Sequence, residues 1–152
     1  EALPAGGVMA RIEVHLYGNP KCRSSKALIE DYSTRIKGRG ISVKFHSEKG
    51  GASAYEKKIN GLPGELILLD EKGDQYTSSD FAGMISKISL ASKTVNFAIG
   101  PADGFSKNMK SQAIKKISLS SLTMPHELAS VILLEQLYRA TEIMRDSPYH
   151  RE

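Results

Sequence analysis

Apolar and polar residues change rhythm at intervals along this chain, and the changes mark out strands alternating with helices. Ile12, Val14 and Leu16 alternate with Arg11, Glu13 and His15, the period-two pattern of a strand with one face on a core. Gly18-Asn19-Pro20 stops it. Ser24 or Ser25 then offers a cap to a helix carrying Ala27, Leu28, Tyr32 and Ile36 on one side and ended by Gly38 and Gly40. Ile41, Val43 and Phe45 alternate again as a second strand. Gly50-Gly51-Ala52-Ser53 predicts a loop, followed by a short helix over residues 54–59.

The run Leu66-Ile67-Leu68-Leu69 is continuously apolar, which predicts a central strand covered on both faces. Asp70-Glu71-Lys72-Gly73-Asp74 reads as a turn closing it. Thr77, Ser78 or Ser79 with Asp80 opens a helix for Phe81, Met84, Ile85 and Ile88. A strand over 94–99, a glycine-bearing loop, a short helix over 106–111 and a last strand over 114–119 follow. Pro125 opens the final helix, about 127–146. Such alternation predicts an α/β fold with a mainly parallel sheet flanked by helices. Ligands then sit beyond the carboxyl ends of the strands, so Leu69-Asp70, 99–104 and 119–124 are the places to inspect.

Composition narrows the picture little. The chain has 152 residues, 40% apolar and 25% charged, which matches a single soluble domain over residues 9–152. Residues 1–8 read as an appendage without the basic and apolar regions of a signal peptide, with Met9 as a natural start. No apolar run is long enough to cross a bilayer, so no membrane role is expected. The single cysteine, Cys22, forms no disulfide within the chain and no Cys/His spacing suits zinc, which points to the cytoplasm and to no metal. A net charge of +4 favours a polyanionic partner only weakly.

Four stretches carry groups able to do chemistry. Gly100-Pro101-Ala102-Asp103-Gly104 can bring bare backbone to a ligand, or be a plain strand-to-helix turn. The loop Leu119-Ser120-Ser121-Leu122-Thr123-Met124 offers hydroxyls at Ser120, Ser121 and Thr123; capping of the next helix by Ser121 or Thr123 explains one of them. Glu135 and Arg139 stand four apart on the last helix, as an ion pair or with the guanidinium partly available. Tyr149, His150 and Arg151 supply a stacking ring, a near-neutral acid or base and a phosphate binder, unless the tail is merely frayed. No nucleophile–base spacing stands out, which leaves hydrolases unsupported.

In order and spacing, Phe97 to Gly104, Leu119 to His126, Glu135 to Ala140 and Pro148 to Glu152 resemble the RlmH family of SPOUT-superfamily methyltransferases. Leu68 to Gly73 and Ser78 to Phe81 extend the likeness to mid-chain. The resemblance implies a C-terminal trefoil knot, a homodimer, and S-adenosylmethionine held by Leu69, Gly100 and Leu119 through Met124. It implies methylation of N3 of a pseudouridine in 23S ribosomal RNA, on assembled ribosomes. The tail would lie on the substrate side, with His150 as first candidate base, Tyr149 orienting the base, Arg139 stabilising the anion and Arg151 contacting RNA. Pro101 replaces a second family glycine and removes one amide. The rival expectation is an RNA- or ribosome-binding module without catalysis.

Overall fold

A computed structural model describes residues 11–112 and 115–150 of the chain; the expected appendage over residues 1–8 and Arg151 lie outside the described residues. Five strands, β1 (Arg11–Tyr17), β2 (Ile41–His46), β3 (Glu65–Gln75), β4 (Thr94–Ala98) and β5 (Lys115–Ser118), form one parallel sheet in the order β2-β1-β4-β3-β5. Parallel neighbours require crossovers, and helices supply them: α1 (Arg23–Lys37), α2 (Gly51–Asn60), α3 (Ser78–Leu90), α4 (Lys107–Gln112) and α5 (His126–Met144).

Both faces of the sheet are covered. Ile12, Val14, Leu16, Ile67, Val95 and Phe97 turn toward the layer of α1, α3 and α5, in which α5 packs on both of the others. Leu68 and Ala98 point the other way, onto Tyr55 and Ile59 of α2 and Met109 of α4. Ile67 and Leu68 are adjacent, opposite in direction and both buried, as the continuous apolar run required.

Several boundaries move, each for a local reason. Cys22, not Ser24 or Ser25, is the N-cap of α1, and no side chain caps it. The carboxylate of Glu127 instead accepts the backbone N–H groups of Lys21 and Cys22, at 2.9 and 3.2 Å. Helix α2 begins at Gly51, three residues early, because Gly50 adopts a left-handed φ of 85° that the sequence reserved for a longer loop. Thr77 caps α3, accepting the N–H of Asp80 at 3.0 Å.

The largest departure is at the turn expected over residues 70–74. Strand β3 runs through it to Gln75, and its pairing with β5 slips so that Leu69 and Asp74 both stand opposite Ile117. Gly73 makes this possible: a Cβ there would come within 2.6 Å of the Lys116 carbonyl carbon. Two backbones touch where the sequence showed only turn-forming residues.

Strand β1 also differs from its pattern. Of its polar positions Arg11 is exposed and Glu13 half-buried, but His15 is buried on the side that α2 covers. His15 is 1% exposed. The amide of Asn96 donates to the Pro63 carbonyl at 3.0 Å, so its Oδ1 accepts from His15 Nε2 at 2.8 Å. His15 Nδ1 is then the acceptor for His46 Nε2–H at 2.7 Å. A buried polar chain replaces the solvated face, satisfied within itself.

Candidate active site at the carboxyl ends of three strands

Beyond the carboxyl ends of β3, β4 and β5 lies a cavity of about 260 Å³. Leu69, Asp70 and Glu71 come from β3, the loop from Gly100 to Phe105 from the end of β4, and Leu119, Ser120, Leu122, Thr123 and Met124 from the end of β5. His126 and Ala129 of α5 and Lys110 of α4 complete it. Seven of the eight residues expected around a cofactor therefore line one cavity; Ser121 does not.

The wall at β4 is built without side-chain bulk. A Cβ on Gly100 would lie 3.1 Å from the Phe105 ring and 3.2 Å from the Phe105 nitrogen. Gly104 has φ +81°, and its N–H donates to the Pro101 carbonyl at 2.7 Å. Pro101 thus gives up its own amide but anchors the turn through its oxygen.

The hydroxyl loop has a different use from capping. Helix α5 has Pro125 as N-cap and no side-chain cap, so neither Ser121 nor Thr123 serves there. Ser118 Oγ donates to the Ser120 carbonyl at 2.8 Å, Ser120 Oγ accepts the Leu122 N–H at 3.0 Å, and Thr123 Oγ1 donates to Glu71 Oε2 at 3.0 Å. These bonds set the shape of the loop and leave backbone and the apolar Leu119, Leu122 and Met124 to face a ligand. Leu122 is 75% exposed at the rim.

Electrostatically the cavity is acidic: Asp70, Glu71 and Asp103 outnumber Lys110, whose ammonium lies 3.8 Å from Asp70 Oδ2. Sequence reasoning missed Glu71 and Lys110 as lining groups, and gave Asp103 no role within its loop, since nothing local separates them from surface charge. Apolar rim residues, bare backbone and an acidic lining fit a ligand with an aromatic base and a cationic sulfonium.

The second constellation sits at the other end of α5. Glu135 Oε2 accepts from Arg139 Nε and Nη2, at 3.1 and 2.8 Å, and from the Tyr149 hydroxyl at 2.8 Å. Arg139 Nη1 is 3.1 Å from His150 Nδ1, and its guanidinium lies 4.9 Å from the centre of the Tyr149 ring. Tyr149 also meets Tyr138 edge-on at 4.9 Å. Burial and the bond to the Glu135 carboxylate raise the Tyr149 pKa, so it is a donor and not a base. The bond to Glu135 also raises the already high Arg139 pKa.

The tail is therefore folded onto α5 through residue 150. Arg39 of the loop after α1 reaches Thr141 and Glu142 and stacks on Tyr138, which steadies the same end. None of Arg139, Tyr149 and His150 lines the cavity. Arg139 stands ten residues beyond Ala129, about 15 Å along the helix axis. Among the described residues no group of three His, Cys, Asp or Glu could hold a metal ion, and no helix is long and apolar enough to cross a membrane.

A parallel sheet with glycine-lined and hydroxyl-bearing loops gathered at the ends of β3, β4 and β5 defines the class. The family model described as "Predicted SPOUT methyltransferase" matches residues 10–150, and the chain belongs to that family. Its relatives include two proteins named ribosomal RNA large subunit methyltransferase H. The one from Citrifermentans bemidjiense is 39% identical over 136 residues, covering 82% of this chain and 88% of that protein. The one from a strain of Prochlorococcus marinus is 51% identical over 87 residues, covering 57% of this chain and 59% of that protein. A solved structure of a probable methylase family protein from Haemophilus influenzae Rd KW20 shares the fold, with a TM-score of 0.54 at 12% identity over 92% of this chain and 69% of that one.

Proposed function

We propose that this protein is an S-adenosylmethionine-dependent methyltransferase acting on N3 of a pseudouridine in large-subunit ribosomal RNA, on the assembled ribosome. One observation carries the reading: the loops that the family resemblance assigns to the methyl donor, far apart in sequence, line a single cavity. The names of the relatives support ribosomal RNA as the substrate class.

When bound, S-adenosylmethionine supplies a methyl group on a sulfonium that leaves as a neutral thioether, so the leaving group needs no acid. Asp70, Glu71 and Asp103 favour the cation in the cavity. Gly100 lets backbone approach it, and Leu119, Leu122 and Met124 exclude water. The imide proton of the target must be lost. Arg139, held as a cation by Glu135, can stabilise the resulting anion, and Tyr149 gives the base a ring to lie against.

His150 enters this reading with an altered role. A guanidinium only donates, so Arg139 takes up the lone pair on His150 Nδ1, and the hydrogen of the neutral ring sits on Nε2. Positioning of the base suits such a ring better than proton removal does. Arg151 remains our candidate for phosphate contact.

The separation along α5 supports a homodimer. Arg139 stands about 15 Å of helix from the cavity of its own chain and none of Arg139, Tyr149 and His150 lines it, so a second copy would have to bring these residues to complete the site. The entry of β5 beside β3, followed by the loop and α5, is compatible with the trefoil knot that the resemblance implies. Surface Lys and Arg of this domain would contribute to RNA affinity, and that contribution would fall steeply with salt.

Mass mapping of 23S ribosomal RNA from cells with and without the protein tests the reading. A methyl group on one pseudouridine that disappears with the protein is expected; an unchanged methylation map would overturn it. Calorimetry with S-adenosylmethionine separates it from a non-catalytic binding module, which would show no binding at millimolar donor.

A further inference from the structure

Helix α2 contributes no lining residue to the cavity, yet it grips the β4 loop at both ends. At the start, the hydroxyl of Tyr55 lies 2.7 Å from the Ile99 carbonyl and 3.1 Å from the His15 carbonyl. Tyr55 is 2% exposed, and Ile99 is the residue after the last β1–β4 pair, His15↔Ala98. The hydroxyl therefore fixes the peptide that leads into Gly100. The same ring stacks on Phe105, with centroids 6.4 Å apart and planes 12° from parallel. Phe105 in turn is the residue against which Gly100 is packed.

At the end of the loop, the carboxylate of Glu56 accepts twice from one residue. Ser106 N–H donates to Oε2 at 2.8 Å, and Ser106 Oγ–H donates to Oε1 at 2.7 Å. Ser106 Oγ then accepts the Met109 N–H at 3.1 Å, which starts α4. Between Ile99 and Ser106 lie Gly100 and Gly104, whose backbone would otherwise roam widely. Two adjacent residues of one helix thus hold both ends of the loop that forms one wall of the cavity.

We propose that Tyr55 and Glu56 are positioning residues for the methyl-donor site: acting through Ile99, Phe105 and Ser106, they preset the loop so that binding does not have to order it. This rests on the reading of the cavity as the donor site. Neither residue lines the cavity, and the residues proposed to meet RNA lie on α5 and the tail. Their loss should raise the dissociation constant of the donor and leave the rest of the enzyme alone.

The test uses the full-length protein, calorimetry with S-adenosylmethionine and steady-state methylation of ribosomal particles. Wild type binding the donor is the first result; no binding would overturn the donor-site reading itself. Given binding, Glu56→Ala should weaken it about tenfold, Tyr55→Phe several-fold, and Glu56→Gln less than Glu56→Ala, since the amide oxygen still accepts the Ser106 N–H. The KM for the donor should rise in proportion, with kcat at saturating donor and the KM for the ribosomal substrate unchanged. Glu56 is only half-buried, so the thermal midpoints of its variants should stay near that of wild type. Wild-type donor affinity in both Glu56→Ala and Tyr55→Phe would overturn the inference. So would equal changes in both KM values, which would mark a general loss of structure.

Discussion

Arg139 Nη1 stands 3.1 Å from His150 Nδ1, and because a guanidinium can only donate, the histidine is the acceptor. The residue that looked most like a base has its lone pair occupied by the residue that looked most like an anion stabiliser. Arg139→Ala should therefore cut turnover about 10²- to 10³-fold, the scale seen when a stabilising donor is removed. His150→Gln should cost less than about tenfold. Single-turnover methylation at saturating donor measures both, and the opposite order would restore His150 as the base.

Gly100 packs against Phe105 at the other end of the β4 loop, with no room between them for a side chain in its ordinary contact. Gly100→Ala would put a methyl 3.1 Å from the Phe105 ring and displace it by a few tenths of an ångström. Affinity for S-adenosylmethionine should fall about tenfold while stability drops by only about 1 kcal/mol. Calorimetry beside a urea titration reads the two separately; unchanged affinity would remove Gly100 from the donor site.

Gly73 is a packing requirement of a harsher kind. The neighbour is backbone: the Lys116 carbonyl carbon and oxygen at 2.6 Å and the Ile117 nitrogen at 2.7 Å from an added Cβ. Gly73→Ala must therefore open the β3–β5 pairing, at about 2–4 kcal/mol. The loop from Leu119 to Met124 hangs from β5, so donor binding should fail together with stability. A urea midpoint equal to that of wild type would contradict this.

The buried histidine pair predicts an acid limit. Burial, then the charges of His15 and Lys58, push the His46 pKa down to about 4 from an ordinary 6.5. Burial lowers that of His15 too. Between those values the unfolded chain binds the extra proton and the folded one does not, so stability is full above pH 6.5 and is lost as pH falls toward 4. The loss assignable to His46 is on the order of 2 kcal/mol, allowing for partial solvent screening. Urea midpoints near pH 7.5 and about pH 4.5 should differ more in wild type than in His46→Gln, whose amide can still donate to His15. Parallel shifts in the two proteins would remove His46 as the cause.

Much of the site could be read from local pattern. The continuous run at Leu66 to Leu69, the glycines at 100 and 104 and the hydroxyl loop before Pro125 each announced a strand end, and in an α/β sheet strand ends are where ligands go. Local sequence could not assign the groups whose partners are remote. Asp70 read as the strand end that opens a turn, and Thr123 as a cap or a cofactor-loop hydroxyl; one pairs with Lys110 and the other with Glu71. Tyr55 and Glu56 looked like an ordinary stretch of short helix, and only their contacts with Ile99, Phe105 and Ser106 give them a role.

The sequence by itself determined the order of strands and helices, the parallel sheet and the loops that can carry a ligand, because hydrophobic period, glycine and proline act within a few residues. Tertiary structure decided that β1 buries His15 beneath α2, that β3 slides against β5 on Gly73, and that Arg139 gathers Tyr149 and His150 outside the cavity, itself about 15 Å of helix away from it. Those outcomes depend on contacts between residues tens of positions apart, which no local pattern encodes. They set which groups meet, and so what the site can do.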